Sequence, residues 1–329
     1  MSIILSLFFG NTAPTVAFFD LHCALIIQRT APGNVPLPSF LRVLHRTEYN
    51  YRQRVVLNQH RLMLRPRDAH DLWVDDAFLR IQPNANLRWH FDTFGNSIAD
   101  ATFTQEADQL VIESELLLRR YPRDLRFGAS NVCACPYPFD YGDDDLQDLD
   151  PYLGLENKGE ADVLGEWLDR VFTERPGDAV GFLNSLSSAL HGAIGYLSRE
   201  EMGTQTAAET IQRGLGTCRD FAFLFMEASR RFGFAARFVT GYLNSSSTGS
   251  GMPVGGGATH AWADVFVPGE GWIEFDPTNR ITAGSALIRV ATTRKPAQAS
   301  PVSGSFRGLP SDFLGLNVSV TVTEMDSKP

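Results

Sequence analysis

Residues 214–243 read GLGTCRDFAFLFMEASRRFGFAARFVTGYL, and the fold is decided by how this stretch is read. Cys218, Ala222, Phe225, Ser229 and Phe232 recur at steps of four and three, the spacing of one helical face. Gly214 and Gly216 punctuate the entry, Thr217 stands as an N-cap, and Gly233 supplies a C-terminal stop. The pattern predicts a buried amphipathic helix starting at Cys218, then a strand from Ala236 to Leu243. A thiol in the first turn of a helix meets N–H groups with no intrahelical partner and the positive end of the macrodipole. Both favour the thiolate, and the same N–H groups can hydrogen-bond an oxyanion.

Downstream, Thr259 to Val267 and Trp272 to Asp276 read as two strands around Pro268-Gly269-Glu270-Gly271. Alternation puts His260, Trp262 and Asp264 on one face of the first strand, and Trp272, Glu274 and Asp276 on one face of the second. An odd loop of three or five residues pairs the polar faces together, whereas a four-residue loop separates His260 from Asp276. A hairpin centred on Pro268 sets His260 directly opposite Asp276. The turn residues are centred slightly later, so a shared face is the firmer expectation. On one face, Asp276 can fix the imidazole tautomer and leave the other ring nitrogen for the Cys218 proton.

Upstream, Asp162 to Phe172 and Ala179 to Leu197 carry helical apolar stripes, and Thr206 with Glu209 has capping-box spacing before a short helix ending at Arg213. Residues 40–118 are strand-like. Arg42 to Tyr51 alternates, Arg61 to Leu64 and Phe78 to Ile81 are short apolar runs, and Asp92 to Asn96 is a turn ahead of Ile98 to Phe103. A further strand starts at Leu110, which suggests an antiparallel sandwich or sheet. The division expected is an extension over 1–38, a β-rich domain over 39–125, a linker over 126–158 with a solvated acidic run at Asp143-Asp144-Asp145, and a catalytic core over 159–285. A tail over 286–329 follows, with one strand at Leu316 to Val322. Residues 244–257 are mostly Ser and Gly and read as a flexible insertion, a candidate flap over the site.

Composition narrows the function classes. The 329 residues are 43% hydrophobic and 20% charged, a globular balance. With a net charge of -9 and interspersed signs, there is no basic field for a nucleic acid backbone. Cys23, Cys133, Cys135 and Cys218 form neither a disulfide framework nor a zinc-type CxxC pair. Nothing suggests a metal, phosphate cradling or a nicotinamide cofactor. Few cysteines suit a reducing compartment, so a cytoplasmic location is expected, with export as the alternative. Ser2 to Phe9 is apolar, yet no Lys or Arg precedes it, and the run is too short to span a bilayer.

The motifs resemble those of a known superfamily. Gly216-Thr217-Cys218-Arg219-Asp220-Phe221-Ala222, then Gly233 to Tyr242, then His260-Ala261-Trp262, and then Gly271-Trp272 to Asp276-Pro277-Thr278 look like the transglutaminase-like (transglutaminase/protease) superfamily. His45-Arg46-Thr47 with Tyr49 and Tyr51, Leu62 to Arg67, and Asp92 to Asn96 resemble the β-rich N-terminal domain of its bacterial members. Together the matches span roughly residues 40–282. The resemblance implies an α+β, papain-like core with a helix packed on an antiparallel sheet. It also implies Cys218 as nucleophile, His260 as base, Asp276 as third member, no cofactor, and a peptide or protein substrate. Hydrolysis of a peptide or carboxamide is favoured over transamidation, and a non-catalytic peptide-binding module is the further alternative. Trp262, Arg219 and Tyr242 are candidates for substrate contact, with Trp272 as a possible wall. The Cys218 backbone is one oxyanion donor, and Gln212 or Tyr196 is the candidate for a second. No membrane partner is expected, and the oligomeric state is open.

Overall fold

A computed structural model describes residues 38–121, 135–199, 203–244, 254 and 256–325. The expected extension, Cys23, Cys133 and most of the Ser/Gly run therefore lie outside the described residues.

The N-terminal half is a two-sheet sandwich. One sheet holds β1 (Ser39–Leu57), β3 (Leu72–Gln82) and β6 (Glu106–Arg120), with β15 (Phe306–Arg307) and β16 (Phe313–Met325) along the free edge of β1. The other holds β2 (His60–Leu62), β4 (Ala85–Phe91), β5 (Ser97–Phe103) and β14 (Val302–Ser303). Alternation along β1 buries Leu41, Val43, His45 and Thr47 and exposes Arg42, Leu44 and Arg46. Tyr51, Val55, Leu62, Ala99, Ala101, Leu110 and Ile112 fill the space between the sheets.

The second half is helical on one side and a sheet on the other. The helices are α1 (Asp143–Leu153), α2 (Ala161–Val171), α3 (Ala179–Ala193), α4 (Ala207–Arg213) and α5 (Cys218–Arg231). The antiparallel sheet runs β12 (Ile281–Thr282), β11 (Gly271–Asp276), β10 (His260–Val267), β9 (Ala236–Leu243), β13 (Leu287–Thr293). This is the α+β arrangement expected, with α5 laid on β9 and β10. Its core joins Leu164, Trp167 and Leu168 of α2 and Phe182, Leu186 and Leu190 of α3 to Phe221 and Phe225 of α5. Phe238, Ala261, Ala263, Val265 and Phe275 supply the sheet side. Tyr137, Phe172, Phe182, Phe232 and Phe234 form an aromatic nest at one end, with the Tyr137 and Phe234 rings stacked 5.0 Å apart.

Four features differ from the sequence reading. First, α5 is buried on nearly all sides, not along one stripe, because it runs between the sheet and the other helices. Its polar residues are satisfied inside: Arg230 is paired with Glu227 at 3.3 Å and donates to the Ala236 carbonyl at 2.8 Å. Second, α3 ends at Ala193, and β7 (Gly195–Tyr196) pairs in parallel with β8 (Leu215–Gly216). A Cβ at Gly195 would lie 2.7 Å from Leu215 Cδ2, so the Leu215 side chain packs over the glycine across the pair. Third, the acidic run is exposed, as expected of solvated carboxylates, but it forms the first turn of α1, where carboxylates favour the helix dipole.

Fourth, the described part of 286–329 is no tail. β13 completes the core sheet beside β9, and β14 to β16 return to the N-terminal sandwich. A register shift between Arg289 and Ala291 breaks the period-two pattern of β13, which hides it from a search for alternation. The two halves are joined on one apolar layer, with Leu41, Val43, Leu116 and Leu118 against Tyr242, Ile288 and Val290. Polar contacts add to it. Asn96 exchanges two hydrogen bonds with the Thr292 backbone, at 2.8 and 2.9 Å. The Asp92 to Asn96 turn thus docks the sandwich onto the core sheet.

Candidate active site

The start of α5 is held by its own first turn. Thr217 is the extended N-cap residue, as expected. The Asp220 carboxylate reaches back and accepts from the Thr217 N–H at 2.8 Å and its hydroxyl at 2.9 Å. It accepts also from the Gln205 N–H at 2.7 Å, the Gln205 amide at 3.0 Å and Arg199 at 2.8 Å. Burial would raise the Asp220 carboxyl, yet these donors hold it below its ordinary value. The ion pair Asp220 makes is with Arg199, from the segment before α4. Asp220 ties that segment and the turn at 216–217 to the base of the helix that begins with Cys218.

His260 is brought to that helix start by the β10–β11 hairpin. Val267 pairs with Gly271, so the loop is the three residues 268–270, one of the odd lengths expected. Gly269 and Gly271 take positive φ, 82° and 76°, which the tight turn requires. The ladder sets Asp264 opposite Glu274, centring the hairpin on Gly269 instead of Pro268. His260 and Asp276 consequently share a face but lie diagonally, not directly opposite. The diagonal is within side-chain reach: His260 Nε2 donates to Asp276 Oδ2 at 2.8 Å, and both side chains are fully buried. Across from His260 on β9 stands Gly241, where a Cβ would lie 2.1 Å from the Ile288 carbonyl oxygen and 2.7 Å from the Trp262 ring.

The Asp276 carboxylate is saturated. Its Oδ1 accepts from the Thr278 N–H at 2.9 Å and the Asn279 N–H at 3.3 Å. Its Oδ2 accepts from the Asn279 side-chain amide at 2.8 Å as well as from the imidazole. Burial would push the carboxyl up, but the His260 charge and these donors hold it below the usual range. For His260 burial acts the other way, against the imidazolium. The Asp276 charge and hydrogen bond outweigh it, with Cys218 adding to the effect, and the ring is left well above its ordinary value. With Nε2 committed to the carboxylate, Nδ1 is buried and makes no hydrogen bond among the described residues. The Cys218 thiol, 9% exposed, is the neighbour that acts on this ring from the helix.

The remaining candidates divide. Trp262 is fully buried, its ring 6.2 Å from that of His260, and it walls the imidazole without offering a surface to a substrate. Trp272 packs instead under the Arg237 guanidinium at 4.1 Å, at the far end of the hairpin. Arg219 is half-buried, one residue beyond Cys218. Tyr242 does not belong to the site. Its side chain is buried between the two halves, with its hydroxyl 3.1 Å from His45 Nδ1. A tyrosine near the end of a strand reads the same from sequence whether it faces a cleft or a domain junction. Gln212 is exposed on the last turn of α4, with no hydrogen bond toward Cys218. Tyr196, opposite Gly216 across the β7–β8 pair, is close enough to Cys218 to feel it. Its hydroxyl is raised first by burial and then by that thiol.

Asn279 was not singled out by sequence reasoning. Besides bracing Asp276, it donates to the Val254 carbonyl at 3.2 Å and accepts the Val254 N–H at 2.8 Å. The signal available was turn chemistry: an Asn three residues after an Asp at the end of a strand. Among the described residues, no group of three or more His, Cys, Asp or Glu side chains could hold a metal ion.

Comparisons with known proteins agree with this layout. Residues 41–119 match the family described as bacterial transglutaminase-like N-terminal region, and residues 168–277 match the transglutaminase-like superfamily core. The protein Rv2569c of Mycobacterium tuberculosis is 28% identical over 284 residues, covering 80% of this chain and 86% of its own length. ML0607 of Mycobacterium leprae is 30% identical over 113 residues, 34% of this chain and 40% of that protein. Among solved structures, a cysteine protease candidate from Cytophaga hutchinsonii covers 88% of this chain and 92% of its own, at a TM-score of 0.66 and 19% identity. That last likeness is one of fold.

Proposed function

Because this chain belongs to the transglutaminase-like superfamily, with both its bacterial N-terminal region and its core, we propose that it is a cysteine-dependent acyl-transfer enzyme working through Cys218, His260 and Asp276. The observation that carries the reading is the buried imidazole. One of its nitrogens is bound to Asp276 at 2.8 Å, and the other is left free beside a thiol at a helix start. Such an arrangement holds an imidazolium ready to give a proton while the sulfur attacks.

In the first step the Cys218 sulfur adds to the carbonyl carbon of a peptide or carboxamide, and the carbonyl π pair moves to oxygen. The Cys218 N–H, in the first turn of α5 with no partner four residues back, faces the developing oxyanion, and Tyr196 is the best-placed second donor. His260 then gives its Nδ1 proton to the leaving amine, and the C–N bond breaks to leave a thioester. Asp276 keeps the ring oriented and its positive form stable throughout. In the second step His260 takes a proton from water, whose oxygen displaces the sulfur and yields the acid. We favour water over an amine as acceptor, and a peptide or protein as substrate, in the reducing cytoplasm where a free thiol persists. Among the described residues no helix is long and apolar enough to cross a membrane.

Incubation with a glutamine-containing peptide library tests this reading. Cleaved peptide bonds or free acids at the former carboxamides support hydrolysis. Ammonia release with incorporation of an added amine would instead assign transamidation. Peptides bound but unchanged, at equal affinity in Cys218→Ala, would leave a binding module in place of an enzyme.

A further inference from the structure

A cavity of about 310 Å³ lies at the turn that leads into α5, lined by Leu197, Arg199, Gln205, Arg213, Leu215 and Gly216. Its volume suits one long side chain with the backbone that carries it. Gly216 places it two residues from Cys218. Its lining comes from the segments before the nucleophile and includes nothing from the His260 hairpin. A leaving amine departs on the side of the imidazole that protonates it, so this cavity lies on the acyl side of the reacting bond.

The chemistry of the lining is asymmetric. Leu197 and Leu215 are among the exposed large apolar residues, at 50% and 42%. They would cover an aliphatic stem. Arg199 is neutralised by Asp220, 2.8 Å away. Arg213, at the end of α4, is exposed and makes no ion pair or hydrogen bond among the described residues. Gln205 is held by its amide nitrogen, which donates to the Leu215 carbonyl at 3.2 Å and to Asp220 at 3.0 Å. Two acceptors fix the orientation of that amide. Its oxygen is therefore an acceptor, and it is buried with no partner in a residue only 6% exposed. The wall thus offers one cation without an ion pair among the described residues and an apolar floor.

We infer that this cavity is a specificity subsite for an acidic side chain on the acyl portion of a peptide substrate. The substrate carboxylate is taken by Arg213, and its stem lies against Leu197 and Leu215. The inference rests on the proposed acyl-transfer reading, and its test separates the two. Peptidyl chloromethyl ketones alkylate a nucleophilic sulfur whatever the natural acyl acceptor, with carbon–sulfur bond formation and loss of chloride. Pairs carrying Glu or Gln at the first, second or third residue from the ketone are compared by the second-order rate of Cys218 labelling, read by mass spectrometry.

At one of the three positions the Glu reagent should label about tenfold faster than its Gln partner, the scale of one charge-assisted hydrogen bond. The ratio should fall to within about twofold in Arg213→Gln, survive largely in Arg213→Lys, and shrink as salt is raised. Equal rates at all three positions, or a preference that persists in Arg213→Gln, would overturn the subsite while leaving the nucleophile intact. Labelling of Cys218 no faster than a free thiol by every reagent would overturn the acyl-transfer reading, and the subsite with it.

Discussion

Replacing Asp276 by Asn keeps the size of the side chain and removes only the charge that faces His260. In the native protein burial opposes the imidazolium, and the Asp276 charge and hydrogen bond, with a contribution from Cys218, carry the ring from its ordinary 6.5 to about 10. At about 1.36 kcal/mol per pH unit, the ring's preference for its proton is on the order of 5 kcal/mol. This agrees with the ~3–5 kcal/mol that losing one partner of a buried ion pair costs. The sign fixes the pH window. A raised histidine contributes stability that is complete below 6.5 and lost as pH rises through about 10. The depressed Asp276 carboxyl contributes stability present above its ordinary 3.8 and lost as the solution is acidified. Asp276→Asn should therefore destabilise most between about pH 4 and 6.5, and progressively less toward pH 10. Urea unfolding of both proteins across that range measures the difference, and NMR of the His260 Cε1 signal measures the titration. A native His260 that titrates near 6.5, or a destabilisation that is flat with pH, would refute the coupling.

Asn279→Ala removes one donor from Asp276 Oδ2 and releases Val254. Turnover should fall by roughly 10- to 100-fold, as when the partner of a site ligand is lost, and the acid limb of the kcat profile should move up in pH because the carboxylate is less stabilised. Asp220→Ala strips six hydrogen bonds from the base of α5. It should cost about 3–5 kcal/mol in urea unfolding, since the buried donors of Thr217 and Gln205 lose their acceptor, and Cys218 alkylation should slow in the fraction that folds. Phe182→Ala, at the centre of the aromatic nest and fully buried, should cost about 3–5 kcal/mol and lower Tm. In the folded protein, the Cys218 labelling rate should be unchanged.

The parts legible in the sequence are those with local signals. The helix starting at Cys218 could be read because cap residues, spacing and a terminal glycine all lie within one stretch. The odd hairpin loop could be read because shifting register by one residue would have turned His260 and Asp276 apart. Direct opposition of the two could not be separated from the diagonal, since that depends on which of four turn residues takes the centre. β13 escaped because its bulge breaks alternation, and the return of β14 to β16 to the sandwich is a pairing across some 250 residues that no local pattern encodes. Tyr242 was misplaced because a strand residue beside a functional one looks alike on either face. The roles of Asn279 and Asp220 lie in hydrogen bonds converging from separate segments, which a linear reading sees as an ordinary turn and an ordinary ion pair.

The central claim is that Cys218 becomes acylated. The most direct measurement is rapid acid quenching of the protein during turnover of a peptide carboxamide or its activated ester, followed by intact-mass and peptide mapping. A transient adduct of the acyl mass should appear on Cys218, accumulate when the second step is slowed, and be absent in Cys218→Ala and strongly reduced in His260→Ala. Undiminished turnover in Cys218→Ala, or an acyl group mapped to another residue, would contradict it.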